Sequence, residues 1–250
     1  MKRISAYFIS IVLMTVFGSA SLKAQDTVYV PLKIRTALEV SGPVKYIFDN
    51  NILATEANVS LDISEKRAWM LGGGYVNYNY SQDNSESKAN GIYDYKASGI
   101  FLKAGMDFNL LGPKKAQGKY FTGIGLHYGL SRFTSEVPSI KTENYWGPFE
   151  TSVPSRSGIA HFVEATPSVR AEIFKNVSIG WNINIRVMLS TGTGSDLRML
   201  YLPGFGDAGK KVSTGLSYFI TWNIPYRTKR VIILPPAPEE DEDLEPGVTP

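Results

Sequence analysis

Between residues 32 and 222 apolar and polar residues alternate along most of the chain. The clearest run is VSIGWNINIRVML, residues 177–189. Val177, Ile179, Trp181, Ile183, Ile185, Val187 and Leu189 fall on one face, with Ser178, Gly180, Asn182, Asn184, Arg186 and Met188 on the other. A strand sends successive side chains to opposite sides, so the run predicts a strand with one apolar and one polar face. It is longer than the ~5–6 residues of an ordinary globular strand and suits the ~9–11 residues that a tilted strand needs to cross a bilayer.

Seven further strands are read the same way. The first sets Leu32, Ile34, Thr36, Leu38 and Val40 against Lys33, Arg35, Ala37, Glu39 and Ser41; Gly42-Pro43 ends it, and residues 44–51 read as a connection. The second sets Thr55, Ala57, Val59, Leu61 and Ile63 against Glu56, Asn58, Ser60 and Asp62, with a tight polar turn at 64–67. In the third, residues 68–80, Ala68, Met70, Gly72, Gly74, Val76, Tyr78 and Tyr80 are assigned outward. Trp69, Leu71, Gly73, Tyr75 and Asn77 are then inward. The glycines at 72–74 mark a bulge or a close approach. Residues 81–96 read as a long loop.

The fourth strand points Ile100, Leu102, Ala104, Met106 and Phe108 out and Lys103, Gly105, Asp107 and Asn109 in. A turn starts at Leu111 and ends near Lys119. The fifth strand points Tyr120, Thr122, Ile124, Leu126, Tyr128 and Leu130 out and Gly123, Gly125, His127, Gly129 and Ser131 in; small interior residues suit a narrow barrel. Residues 133–158 read as the longest connection. The sixth, 159–174, points Val163, Ala165, Val169, Ala171 and Ile173 out and Glu164, Thr166, Ser168, Arg170 and Glu172 in. Pro167 cannot donate a ladder bond and predicts a bulge or local break. Lys175-Asn176 forms a two-residue hairpin turn. Residues 177–189 are the seventh strand. After a glycine-rich loop at 191–210, the eighth points Val212, Thr214, Leu216, Tyr218, Ile220 and Trp222 out.

The longer connections fall at one end of these strands and the shorter ones at the other. The fold class is therefore all-β: an eight-stranded antiparallel up-and-down transmembrane β-barrel with short periplasmic turns and longer outer loops. Closure leaves no exposed sheet edge.

Composition adds the boundaries. Lys2 and Arg3, an apolar run at 4–17 and small residues at 18–21 form a signal peptide, residues 1–24, cleaved after Ala24. The apolar run is shorter than a spanning helix needs, and no cysteine follows it, which excludes lipoprotein processing. The barrel is assigned to residues 25–226. Residues 227–250, with Pro235, Pro236 and Pro238 before six acids between Glu239 and Glu245, read as a disordered acidic periplasmic tail. With 0 cysteines there is no disulfide, thiolate zinc site or cysteine nucleophile. The formal charge of +3 is matched by Lys2, Arg3 and Lys23 of the signal peptide, so no basic patch points to nucleic acid.

Residues 213–220, STGLSYFI, resemble the assembly signal of outer-membrane barrels. More widely, the AQ at the cleavage site, LEVSGPV, NYWG at 144–147, HFVE at 161–164 and LYLPGFGD at 200–207 resemble an uncharacterised family of Bacteroidetes-type outer-membrane β-barrel proteins. The resemblance spans the barrel, not the tail, and implies the fold and the outer-membrane location without an activity.

The candidate chemistry is a lumen charge network: Lys33, Arg35, Glu39, Glu56, Asp62, Lys103, Asp107, Glu164, Arg170, Glu172 and Arg186. Nearly balanced signs in a narrow lumen read as a plug, because unpaired buried charges are costly; a selective pore is the functional alternative. Tyr145, Trp146, Tyr201 and Phe205 are outer-loop aromatics that form a girdle or a binding surface. His127 and Ser131 share a face, but no spacing fixes a nucleophile, a base and an orienting group. Two distant histidines make no metal site, and no cofactor is implied. The expected function is a non-catalytic outer-membrane barrel with a structural or surface-binding role. The alternatives are a barrel enzyme acting on membrane lipids and a soluble periplasmic lipocalin-like ligand-binding barrel. The expected partners are outer-membrane lipid, the barrel assembly machinery and a basic periplasmic partner of the acidic tail.

Overall fold

The computed structural model describes residues 26–82, 92–112, 118–144, 147–192 and 199–233. The stretch expected to be a signal peptide, Tyr145 and Trp146, and residues 234–250 of the expected tail lie outside the described residues. The chain divides into two units, Met1–Val28 with Arg230–Pro250, and Tyr29–Lys229; the second holds the barrel.

Eight long strands form an antiparallel up-and-down ring. They are β1 (Asp26–Glu39), β2 (Ile52–Asp62), β3 (Arg67–Gln82), β4 (Ile92–Asn109), β5 (Tyr120–Asn144), β6 (Gly147–Phe174), β7 (Val177–Thr191) and β10 (Val212–Ile233). The ring order is β1-β10-β7-β6-β5-β4-β3-β2, closing on β1. Two short strands, β8 (Tyr201–Leu202) and β9 (Gly206–Asp207), pair with each other in the β7–β10 connection, and one helix, α1 (Ser41–Phe48), joins β1 to β2. The connections at 63–66, 110–119 and 175–176 share one end of the barrel, here the turn end. Helix α1 and the β8–β9 hairpin stand at the other, the loop end.

The alternation sets the faces. Ile183 is 40% exposed and Asn184 3%, as the pleat of β7 requires. The same inside–outside sorting holds in β2, β4, β5, β6 and β10. At the turn end, Ser64 Oγ accepts from the Lys66 and Arg67 N–H groups, closing the polar turn. Asn176 takes φ 66° in the Lys175-Asn176 turn, the left-handed geometry that two-residue hairpins need and asparagine tolerates.

Several expectations are corrected. The faces of β3 are reversed: Ala68, Met70 and Val76 are buried, while Trp69 and Leu71 are 56% and 63% exposed. Its glycines make no bulge, since the β2–β3 and β3–β4 registers run unbroken through them. They make a close approach instead: a Cβ on Gly74 would lie 2.5 Å from the Phe101 ring. In β1 the alternation slips by one residue after Pro31, so that Leu32 is buried together with Lys33.

Residues 44–51 are not a plain connection, because α1 covers most of them. Pro43 fits its first turn, where an N–H has no helical acceptor, and Val44, Ile47 and Phe48 lie on one exposed face. Of the long loop expected at 81–96, residues 81–82 and 92–96 are strand and 83–91 lie outside the described residues, while the connection expected at 133–158 is strand over 133–144 and 147–158. β5 and β6 extend to meet at Asn144↔Gly147, with register shifts around Val137. Pro167 causes no bulge, since it pairs with Ile124 of β5 and the β7 register is the same at Ala165↔Ile185 and Ser168↔Asn182, but the β7 ladder breaks locally at Thr166 and Pro167, as the other half of the expectation has it. The shifts in β6 fall at His161/Phe162 and Glu172/Phe174. β10 runs to Ile233, into the stretch read as tail.

Candidate functional site

Most of the lumen charges pair up across the ring. Lys103 Nζ on β4 lies 2.6 Å from Glu56 on β2 and 3.1 Å from Glu164 on β6. Arg186 Nε on β7 donates to the other Glu164 oxygen at 2.5 Å, and its Nη1 donates to the Phe205 carbonyl at 3.3 Å. His127 Nε2 lies 3.0 Å from Asp107; its Nδ1 stands 3.5 Å from Glu164, within ion-pair range but without a hydrogen bond. β2, β5, β6 and β7 each deliver one of these groups to the lumen face and β4 delivers two, Lys103 and Asp107, and the pleat fixes their heights.

A second set sits towards the turn end. Lys33 Nζ meets Glu172 at 2.6 Å and the Gly118 carbonyl at 2.7 Å. Arg35 pairs with Asp62, whose Oδ2 also accepts the Lys33 backbone N–H at 2.9 Å. The Arg170 guanidinium lies over the Phe121 ring, 4.6 Å from its centroid, a favourable cation–π placement.

Glu39 is buried like the rest but does different work. Its carboxylate accepts the Gly42 N–H and the Ser41 hydroxyl and so holds the start of α1. An acid beside the first turn complements the helix dipole.

Phe205 is not a surface aromatic. It is fully buried with Leu202, Phe162 and Phe133, so the β8–β9 hairpin folds into the loop end of the barrel. Tyr201 stacks on Tyr78, ring centroids 4.8 Å apart, beside buried Tyr95. Burial pushes the Tyr201 phenol above its ordinary pKa, so it stays protonated. This apolar cap was not read from the sequence. A signal existed in the pairing of Gly129 with Phe162: a Cβ on Gly129 would lie 2.2 Å from that ring. A bare backbone opposite a large inward ring marks an aromatic laid across a glycine.

Among the described residues, His127 hydrogen-bonds Asp107 and no serine. Ser131 is four residues along β5, about 13 Å by the strand rise, and its Oγ is buried without a partner. Among the described residues, no group of three or more His, Cys, Asp or Glu could hold a metal ion. His161 is half-buried on the outward face and lies 2.5 Å from the Tyr128 hydroxyl. Cavities accompany the network. One of about 350 Å³ lies near the loop end, and two of about 50 Å³ lie nearer the middle and the turn end.

Among solved structures, the chain is similar to Acinetobacter baumannii CarO2, at 11% identity and a TM-score of 0.35, over 79% of this chain and 99% of that one. It is similar to Acinetobacter baumannii CarO at 11% identity and a TM-score of 0.34, over 79% and 98%. No curated protein matches it. A family model, described as a domain of unknown function, matches residues 1–229, nearly the whole barrel-bearing chain, which therefore belongs to the DUF6048 family.

Proposed function

We propose that this chain is a non-catalytic outer-membrane β-barrel, with a lumen plugged by paired charges and a structural or surface-binding role. One observation carries the reading: the solvent preference of the two faces is inverted. Lys103 and Glu164 are 3% exposed inside, while Leu102, Leu126, Ile183, Leu216 and Trp222 stand exposed outside. Such residues encircle the barrel. Monomers in water rarely expose apolar patches beyond a few hundred Å², whereas lipid solvates such a belt and the ring satisfies the backbone groups it buries. A lipocalin-like barrel needs the opposite arrangement, with its apolar residues inside.

The turn end is then periplasmic and the loop end outward. The outward surface available to a partner is the long β5–β6 hairpin, which stands beyond the belt. In fractionation the protein goes with outer membrane and migrates differently on a gel before and after heating. Recovery in the soluble fraction without detergent would remove the membrane reading.

A further inference from the structure

β1 stops at Glu39, while the strands on both sides continue towards the loop end. Its last bond to β10 joins the Val40 N–H to the Tyr218 carbonyl at 2.9 Å, and its last pair with β2 is Leu38↔Ala57. Beyond these, residues 212–217 of β10 and 52–56 of β2 have no strand between them among the described residues. α1 occupies that part of the wall. The β7–β10 register is unbroken from Val212 to Trp222, so the backbone groups of Thr214 and Leu216 aim the same way as those of Tyr218, into the gap. The gap interrupts the apolar belt, for Leu216 and its β7 partner Ile183 are both outward and exposed. Unpaired backbone at membrane depth is tolerated only against protein or a cavity.

Such a cavity is there. It measures about 350 Å³, within the ~300–1,000 Å³ of small-molecule sites. Its inner wall is polar, with Asn184, Arg186 and Ser213, and Ile52 and Leu216 line it at the gap. α1 turns Lys45 towards it and leaves Val44, Ile47 and Phe48 exposed. Of the acids around it, Glu56 pairs with Lys103 and Asp207 with Lys210, while the Glu39 carboxylate is taken up by the Ser41 hydroxyl and the Gly42 N–H. Among the described residues Lys45 has no salt-bridge partner, so the cavity has one cation free to meet an anion.

We propose that this is a lateral binding site for a single-chain amphiphile with an anionic head. The ligand enters from the lipid between β10 and α1; its head lies near Lys45 and Arg186, and its chain leaves past Leu216. The inference rests on the membrane reading above. The purified barrel in dodecyl maltoside is titrated with palmitate, with hexadecanol (chain without charge) and with acetate (charge without chain), and bound ligand is read by native mass spectrometry. One palmitate is retained per barrel, at least tenfold more tightly than hexadecanol, and acetate is not retained. Asn184→Trp fills the cavity and Lys45→Glu reverses its charge; each weakens palmitate tenfold or more, while Lys175→Glu at the turn end has no effect. Heat-modifiable migration checks the fold of each variant, and Lys45→Glu, on an exposed helix, decides if Asn184→Trp does not fold. Equal retention of palmitate and hexadecanol, no retained palmitate, or affinity unchanged in the folded variants overturns the site. Protein that fractionates as soluble overturns the membrane reading itself, whereas a membrane-embedded barrel that ignores palmitate overturns the lateral site alone.

Discussion

Glu164 accepts from Arg186 and Lys103 and has His127 beside it, at 1% side-chain exposure. Removing one partner of a buried pair leaves an uncompensated charge and costs about 3–5 kcal/mol. Glu164→Ala therefore lowers the unfolding free energy of the refolded barrel, read by urea titration, by an amount in that range, and Glu164→Gln, which keeps a hydrogen-bonding carbonyl, by less. Lys141 lies 3.7 Å from Glu150 with both side chains more than half exposed. Lys141→Ala costs below about 1 kcal/mol, because water already screens that pair. Equal losses for Glu164→Ala and Lys141→Ala would show that the lumen network is wet. Gly129 tests the packing above the network. Its added methyl would strike the buried Phe162 ring, and overpacking of this kind costs about 1–3 kcal/mol. In a double-mutant cycle with Phe162→Leu the two losses are less than additive, because the smaller side chain clears the space. Full additivity would place the strain elsewhere.

Among the elements, β7 shows how far the pattern reaches. Ile183 and Asn184 are neighbours on opposite faces, and a charge facing lipid near mid-membrane costs about 2–4 kcal/mol, falling towards the interfaces. Ile183→Arg should cut folding yield into vesicles strongly. Asn184→Arg should not, since Asn184 borders the 350 Å³ cavity, where a longer side chain has room. Spin labels on single cysteines at 183 and 184, in a chain with 0 native cysteines, should show 183 far more accessible to oxygen in lipid than 184, which borders the laterally open cavity. Greater accessibility at 184 than at 183 would mean a shifted register. β7 was legible because its two faces contrast throughout. β3 was not, because Trp69, Leu71 and Tyr75 face one way and Met70 and Val76 the other, so both faces are apolar. What decides its orientation is the fit of Gly74 under Phe101, a contact between strands that no single run displays. The ends of β5 and β6 failed for the converse reason: where the hairpin passes the belt, both faces turn polar and the contrast ends. α1 carried a signal in Val44, Ile47 and Phe48, but 8 residues are too short for periodicity to decide. The charge set was legible from strand parity alone; that Glu39 holds a helix and Phe205 fills the lumen depends on the path of the connections.

On the proposed plug reading, two barriers lie in series along the barrel, and conductance tests them. β2 and β6 stand four places apart in a ring of eight strands, directly opposite, and Lys103 ties Glu56 of one to Glu164 of the other. The network therefore crosses the lumen instead of lining it, in an interior about wide enough for side chains only. Above it, Leu202 and Phe205 of the β8–β9 hairpin fill the loop end among Phe133 and Phe162. Reconstituted in planar bilayers, the native protein should show no steady conductance. Replacing residues 199–208 by a short glycine-serine linker removes the upper barrier alone and should still give none. Adding Lys103→Ala and Glu164→Ala together removes the bridge while leaving Glu56 and Arg186 without these lumen partners, and that combination should give discrete openings. Steady openings in the native protein would mean that the interior is not filled, and the selective-pore reading would replace the plug. Openings after loss of the hairpin alone would assign closure to the aromatic cap and leave the ion pairs a purely stabilising part.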